Sequence, residues 1–247
     1  MSVNALYTDL SGYYDLMCVD IDYQTQSSGI RRLHQLFGND GNAHLDLACG
    51  TGPHVRHFID FGYHSFGFDI NQPMLDIAKN RCPEARFSIQ NMSEFTVAEP
   101  LDLITCLLYS IHYNDGIEKL KSCIKSVHRA LKTGGSFCFN VVDKTKINNQ
   151  LFVKHTAKQE HNLFTFSSGW YYSGSGQKQF LKLSIEKANT EQTQVWNDEH
   201  AMVAFCFDEL IDILKPYFEV HIFEHDYERL LPHNNTSGNA IFSCVKI

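Results

Sequence analysis

The stretch "HLDLACGTGPH", His44 to His54, runs an alternating apolar segment into two glycines one residue apart. Backbone bared in this way after a strand lets N–H groups approach a nucleotide where the following helix begins. Asp69 lies 23 residues after Asp46 (69 − 46) and closes the next apolar run, where a carboxylate accepts hydrogen bonds from both ribose hydroxyls. A dinucleotide site asks for a third glycine, so that the helix packs close to a pyrophosphate. Here Val55 holds that position, and Pro53 and His54 crowd the helix start. Further along, His112 in "YSIHYN" has an intrinsic pKa suited to taking a proton from an amine, competing with a purely structural role in its loop. Tyr14, Tyr109 and Tyr113 offer hydroxyls or ring faces to a cationic amine. His54 and His57 share a helix face without a Cys or carboxylate partner, so no metal site is expected. The eight cysteines include no Cys-x-x-Cys pair, and Cys106, Cys138 and Cys244 sit in strand-like runs as small buried hydrophobes.

These groups need a scaffold, and its periodicity is plain from Ala43 to Val142. "HLDLA", "SFGFDI", "RFSI", "LDLITCLL" and "SFCFNVV" read as five strands with helices between them. The clearest helix starts at Asp115, with Glu118 as its capping-box partner and Ile117, Leu120, Ile124, Val127 and Leu131 on one face. Repeated strand–helix units with nearly continuous apolar strands predict an α/β fold, a doubly wound and mostly parallel sheet whose ligand lies at the strands' carboxyl ends. After Asp143 a helix is expected over "INNQLFVKHTAKQ", then aromatic and polar segments that read as antiparallel strands. A short helix from Asp208 and two strands, "FEVHIFEHDY" and "NAIFSCVKI", close the chain. The expected division is an N-terminal helical cap over 1–40, a core over 41–143 and 207–247, and an inserted antiparallel unit over 144–206 that roofs the strand ends.

The chain has 247 residues, 43% of them hydrophobic, which suits one large folded domain with an insertion. Its net charge of −7 disfavours a polynucleotide partner, whose non-specific affinity rests on clustered Lys and Arg. No apolar run approaches the roughly 18 residues that span a bilayer, and "MSVNALYTDLSGYYDL" lacks a signal-peptide pattern, so no membrane contact and a cytoplasmic location are expected.

"LDLACGTG" resembles the acidic-x-Gly-x-Gly-x-Gly turn of class I S-adenosylmethionine-dependent methyltransferases, with Asp46, Gly50 and Gly52 in place and Ala48 for the first glycine. Alanine at that position predicts a residue packed near the loop without positive φ. The resemblance continues through "FDINQPMLDIAKNR", "IQNMSEF", "LITCLLYSIHYN" and "VHRALKTGGSFCFN", about 100 residues in order. It implies a seven-stranded Rossmann-like fold with an antiparallel last strand. It also implies S-adenosyl-L-methionine as cofactor, S-adenosyl-L-homocysteine as product, and a site formed by these segments. Ile70 or Met74 would then lie against adenine, Asn91 would accept from its amino group with Met92 beside it, and Leu107 and Leu108 would border the methionine portion. Across the whole chain, "SGYYDLM", "DYQTQSSGI" and the aromatic insertion are similar to the amino-sugar N,N-dimethyltransferases. In that family Tyr23 would face the cofactor carboxylate and Tyr14 the acceptor. The implied reaction is in-line methyl transfer, without metal, to a small molecule, with an amine nitrogen as the leading acceptor. An O- or C-methyltransferase, a non-catalytic S-adenosylmethionine-binding protein and an NAD enzyme stay open. Trp170, Tyr171, Tyr172 and Trp196 are open to three roles: an acceptor pocket, a homodimer surface, or packing of the inserted sheet.

Overall fold

The computed structural model describes residues 4–247. Five parallel strands, β1 (Ala43–Leu47), β2 (His64–Asp69), β3 (Phe87–Ile89), β4 (Leu101–Cys106) and β5 (Leu131–Val142), form the body of a seven-stranded sheet. With β10 (Phe218–Glu224) and β11 (Asn239–Lys246) the order is β10-β11-β5-β4-β1-β2-β3, and β11 runs antiparallel to both its neighbours. The chain leaves β1 toward β3 on one side and returns at β4 to build the other. A crevice therefore opens beyond the carboxyl ends of β1 and β4, where loops diverge to opposite faces.

Every residue of β4 is buried, and β5 is buried from Phe137 to Val142, because helices cover both faces. On one face lie α5 (Ile117–Ala130) and α6 (Phe207–Leu214), whose Leu120, Ile124, Val127 and Leu210 join the main core. On the other, α2 (Tyr23–Phe37) packs Ile30 and Leu33 with Leu103, Cys138 and Ile241. Residues 23–37 thus cover one face of the large sheet. Two further helices, α3 (Pro53–Asp60) and α4 (Gln72–Arg81), follow β1 and β2.

Two local expectations are corrected. The capping box at Asp115 does not form: the helix starts after Gly116, at φ 85°, while Glu118 bonds Lys121 at 2.7 Å. Residues 153–159 are not helical but form strand β6 (Val153–Gln159), paired antiparallel with β7 (Asn162–Tyr172). Val153, His155 and Ala157 alternate along it, and His155 stacks on Phe166 with centroids 5.1 Å apart, so cross-strand packing prevails over a weak helical spacing. With β8 (Lys178–Ala188) and β9 (Thr193–Val203) these make a four-stranded sheet whose Phe164, Phe166, Leu183 and Ile185 pack on Leu6 and the tyrosines of the N-terminal turns. Those turns, a 3-10 turn at Ala5–Tyr7, a second at Ser11–Tyr13 and the short α1 (Tyr14–Met17), are thereby held over the crevice. All eight cysteines are free and all but Cys206 are buried. Among the described residues no helix is long and apolar enough to cross a membrane, and no cluster of side chains could hold a metal.

Candidate active site

The loop after β1 alternates left-handed residues: Ala48 at φ 55°, Gly50 at 55° and Gly52 at 79°. Ala48 does adopt positive φ, contrary to the expectation from sequence. The turn's backbone requires it, and alanine bears a strain that glycine would avoid. Ala48→Gly is expected to raise stability by up to about 1 kcal/mol, measured by urea unfolding. An unchanged or lower midpoint would count against that strain. Gly52 has a second task, since a Cβ there would meet the Ala78 Cβ at 3.1 Å, so its bareness seats α4 against the loop. It is the one expected cofactor residue that lines neither cavity described below.

The loop is fixed from β2. Asp69 Oδ2 accepts from the Gly50 N–H at 3.0 Å, and Oδ1 accepts from the Asn71 N–H at 2.9 Å. Burial raises the Asp69 pKa against these hydrogen bonds. From α1, Asp15 accepts from Thr51 Oγ1 at 2.6 Å and pairs with Arg81 at 2.5 Å, tying the N-terminal turns to the same loop.

Two cavities meet at Tyr14, Ala48, Gly50, Leu108 and Ser110. The larger, about 250 Å³, brings together Asp69, Ile70, Met74, Asn91 and Met92, with Tyr7, Tyr113 and Ser110 across from them. The smaller, about 20 Å³, is lined by Tyr23, Asp46, His54 and Leu107. Two buried atoms of this lining have no hydrogen-bond partner: the Tyr23 hydroxyl and His54 Nε2. His54 Nδ1 is already paired with Ser27 Oγ at 2.9 Å. Asp46 accepts from Thr105 Oγ1 at 2.6 Å, and burial pushes its pKa up to about 7. Leu108 and Tyr109, just after β4, are also left-handed, at φ 51° and 62°, which places local backbone strain at the mouth of the site.

Asn91 lines the larger cavity, yet its Oδ1 accepts from both the N–H and the hydroxyl of Ser93, at 2.9 and 2.8 Å. The amide nitrogen is the atom left for a ligand, so Asn91 offers a donor rather than the acceptor expected for an adenine amino group.

His112 lies outside both cavities, which corrects its reading as the proton acceptor. It is fully buried and stacked on Phe205, with centroids 4.4 Å apart. Its Nε2 accepts from the Val142 N–H at 3.1 Å, which puts the ring proton on Nδ1, facing the Val203 carbonyl at 2.9 Å. Both nitrogens are engaged, and burial lowers the pKa to about 4. Tyr109 stacks on His225 with centroids 5.7 Å apart, and Trp170 meets Tyr109 and His112 edge-on behind the cavity wall. Tyr172 donates to the Gly176 carbonyl at 3.0 Å in the hairpin turn. Tyr109, Trp170 and Tyr172 therefore do not line the cavities. Trp196 packs on Tyr13 in the cluster between sheet and N-terminal turns, at 6.1 Å.

Tyr14 and Tyr113 do face the larger cavity, and Tyr113 brings partners that the sequence reading missed. Its hydroxyl is 2.7 Å from that of Tyr7 and 2.5 Å from His200 Nδ1, and His200 Nε2 is 3.0 Å from Asp198. The one local signal was the i, i+2 placement of Asp198 and His200 in a strand, which puts them on the same face.

The protein family described as the methyltransferase domain matches residues 45–135, from β1 to the turn within β5. Over those residues the chain is similar to a methyltransferase domain. Outside that domain the likeness extends through the fold. The DesVI structure of Streptomyces venezuelae is 20% identical, with a TM-score of 0.83 over 97% of this chain and 99% of that one. An amino pentose methyltransferase from Micromonospora echinaspora, solved with S-adenosylmethionine, is 15% identical, with a TM-score of 0.81 over 97% of each chain. Among curated relatives, the dTDP-4-amino-2,3,4,6-tetradeoxy-D-glucose N,N-dimethyltransferase of Saccharopolyspora spinosa is 34% identical over 37% of this chain. The dTDP-3-amino-3,4,6-trideoxy-alpha-D-glucopyranose N,N-dimethyltransferase of Streptomyces venezuelae is 29% identical over 51% of this chain. The chain spans 36% and 54% of those two relatives' lengths.

Proposed function

We propose that this protein transfers a methyl group from S-adenosylmethionine to an amine nitrogen of a small molecule. The observation that carries this reading is the joined pair of cavities at the β1–β4 crevice, whose polar lining suits the ribose and amino-acid parts of that cofactor. Asp69 presents a carboxylate where ribose hydroxyls can donate to it, and Ile70 and Met74 give an apolar wall for the adenine. On the other side of Gly50, the buried Tyr23 hydroxyl, and His54 Nε2 in the tautomer in which Ser27 donates to Nδ1, are donors for a carboxylate. Asp46 is an acceptor for an ammonium group. The bound cofactor supplies an already activated methyl group. What is left to the protein is to hold an acceptor lone pair about 3 Å from its target, in line, and to keep water out. Tyr7, Tyr14 and Tyr113 close the larger cavity under the four-stranded sheet and face the space for the acceptor. The amine class is supported by three relatives that are N,N-dimethyltransferases of dTDP-amino sugars.

Purified protein, labelled S-adenosylmethionine and a panel of small amines headed by dTDP-3-amino-3,6-dideoxy-α-D-glucopyranose test the reading. S-adenosylhomocysteine release with label on nitrogen is expected. Release with phenols or quinols alone would replace it with O-methylation.

Asp46 gives the cofactor site a pH dependence. In the free protein burial holds its pKa near 7, and an ammonium group beside it favours the ionised form, so binding releases a proton. Affinity for S-adenosylhomocysteine is therefore expected to rise by up to about tenfold per pH unit as pH rises toward 7, and to level off above it. Calorimetry from pH 5.5 to 8 reads this directly. Asp46→Asn should abolish the slope, and a slope that persists in that variant would assign it to another group.

A further inference from the structure

Tyr7, Tyr113, His200 and Asp198 form a continuous hydrogen-bonded chain from the larger cavity to the edge strand β9 of the four-stranded sheet. The chain has one consistent polarity. The Asp198 carboxylate accepts, so His200 Nε2 carries the ring proton and Nδ1 is the acceptor. Tyr113 then donates to Nδ1 at 2.5 Å, and Tyr7 donates to the Tyr113 oxygen at 2.7 Å. One lone pair of the Tyr113 oxygen remains, and Tyr113 lines the cavity. His200 is fully buried, while the Asp198 side chain is 26% exposed.

We propose that this chain is a proton relay for the acceptor, in which Tyr113 takes a proton from a bound ammonium group and passes its own to His200. The proposal rests on the amine-methylation reading above. The ammonium N–H bond breaks and its electron pair stays on nitrogen as the lone pair needed for attack. The released proton joins the Tyr113 oxygen as the Tyr113 O–H proton moves to His200 Nδ1. Tyr113 ends neutral, His200 becomes an imidazolium, and Asp198 stabilises that charge. The proton returns to water when product leaves and the cavity refills. Tyr113 is thus the catalytic residue, and His200 and Asp198 act through it.

The surroundings favour passage over storage on tyrosine. Burial pushes the Tyr7 and Tyr113 hydroxyls well above their ordinary range, so neither holds a phenolate. Burial lowers the His200 pKa, so the ring is neutral before the transfer, and Asp198, which opposes that shift, is the group that stabilises the imidazolium. The groups facing His200 are Asp198 on its own strand, Tyr113 from the 3-10 turn after β4, and Tyr7 from the N-terminal turn. Cys18 and Asp69 act on Tyr7 from further away.

His200→Gln tests the relay, because glutamine can accept from Tyr113 and donate to Asp198 yet cannot take up a proton. With the amine panel above, kcat/KM of the variant should fall about 10²-fold below pH 7, with S-adenosylhomocysteine affinity unchanged. The deficit should shrink by about tenfold per pH unit as pH rises, until the amine is neutral in solution and needs no base. Tyr113→Phe should show the same profile, and it carries the test if the glutamine variant fails to fold. A deficit that stays constant with pH, or no deficit, overturns the relay while leaving amine methylation intact. Wild-type protein that binds the cofactor but turns over no amine overturns the amine reading and the relay with it.

Discussion

Asp69→Ala is expected to lose S-adenosylhomocysteine binding by about 10² to 10⁴-fold. Hydrogen bonds to a charged group contribute about 1.5 to 3 kcal/mol each, and two ribose hydroxyls would donate to this carboxylate, giving about 3 to 6 kcal/mol. At about 1.4 kcal/mol per factor of ten, that corresponds to the stated range. The substitution also frees the Gly50 and Asn71 N–H groups, which hold the loop to β2 at 3.0 and 2.9 Å. Asp69→Asn keeps one acceptor oxygen, so it should fall between wild type and alanine. Calorimetry with S-adenosylhomocysteine, beside a thermal melt to confirm folding, separates a lost contact from a lost fold. A well-folded alanine variant within threefold of wild-type affinity would remove Asp69 from the cofactor site.

His112→Ala is expected to act on stability rather than on binding. It leaves the Val142 N–H without its acceptor and empties the space against Phe205. A buried donor without a partner costs about 1 to 3 kcal/mol, and the lost packing adds to it, for roughly 2 to 4 kcal/mol in total. For a chain of this length that lowers Tm by about 5 to 15 °C. The wild-type ring is neutral in the fold, with a pKa near 4, and titrates near 6.5 when unfolded. The unfolded chain therefore binds the extra proton between those values, so this group's contribution is full above pH 6.5 and is lost as pH falls toward 4. The stability gap between wild type and variant should narrow over that window. Urea unfolding at pH 5 and 7.5 checks it, and a stable variant with unchanged cofactor affinity but lost turnover would restore His112 to catalysis.

The sequence by itself determined the parts that depend on near neighbours. The alternation of "HLDLA" and "LDLITCLL", the three-and-four spacing from Leu120 to Val127, and Gly50 followed by Asp69 at the next strand end each specify backbone geometry within a short window. That is why the parallel sheet, the glycine loop and most residues of the two cavity linings were legible. The same windows misled where two periodicities overlapped, as in residues 153–159, and where a side chain's type was used to infer its backbone, as at Ala48. The tertiary structure decided the rest. Whether a histidine is a base or a strut depends on what fills its two nitrogens, and for His112 those partners are Val142, Gln179 and Val203, 30, 67 and 91 positions away. Tyr113 meets Tyr7 across 106 positions and His200 across 87, a meeting that exists only once the inserted sheet has folded down over the N-terminal turns. Local periodicity carries no record of such partners, because it fixes which face a side chain occupies and not what that face will touch.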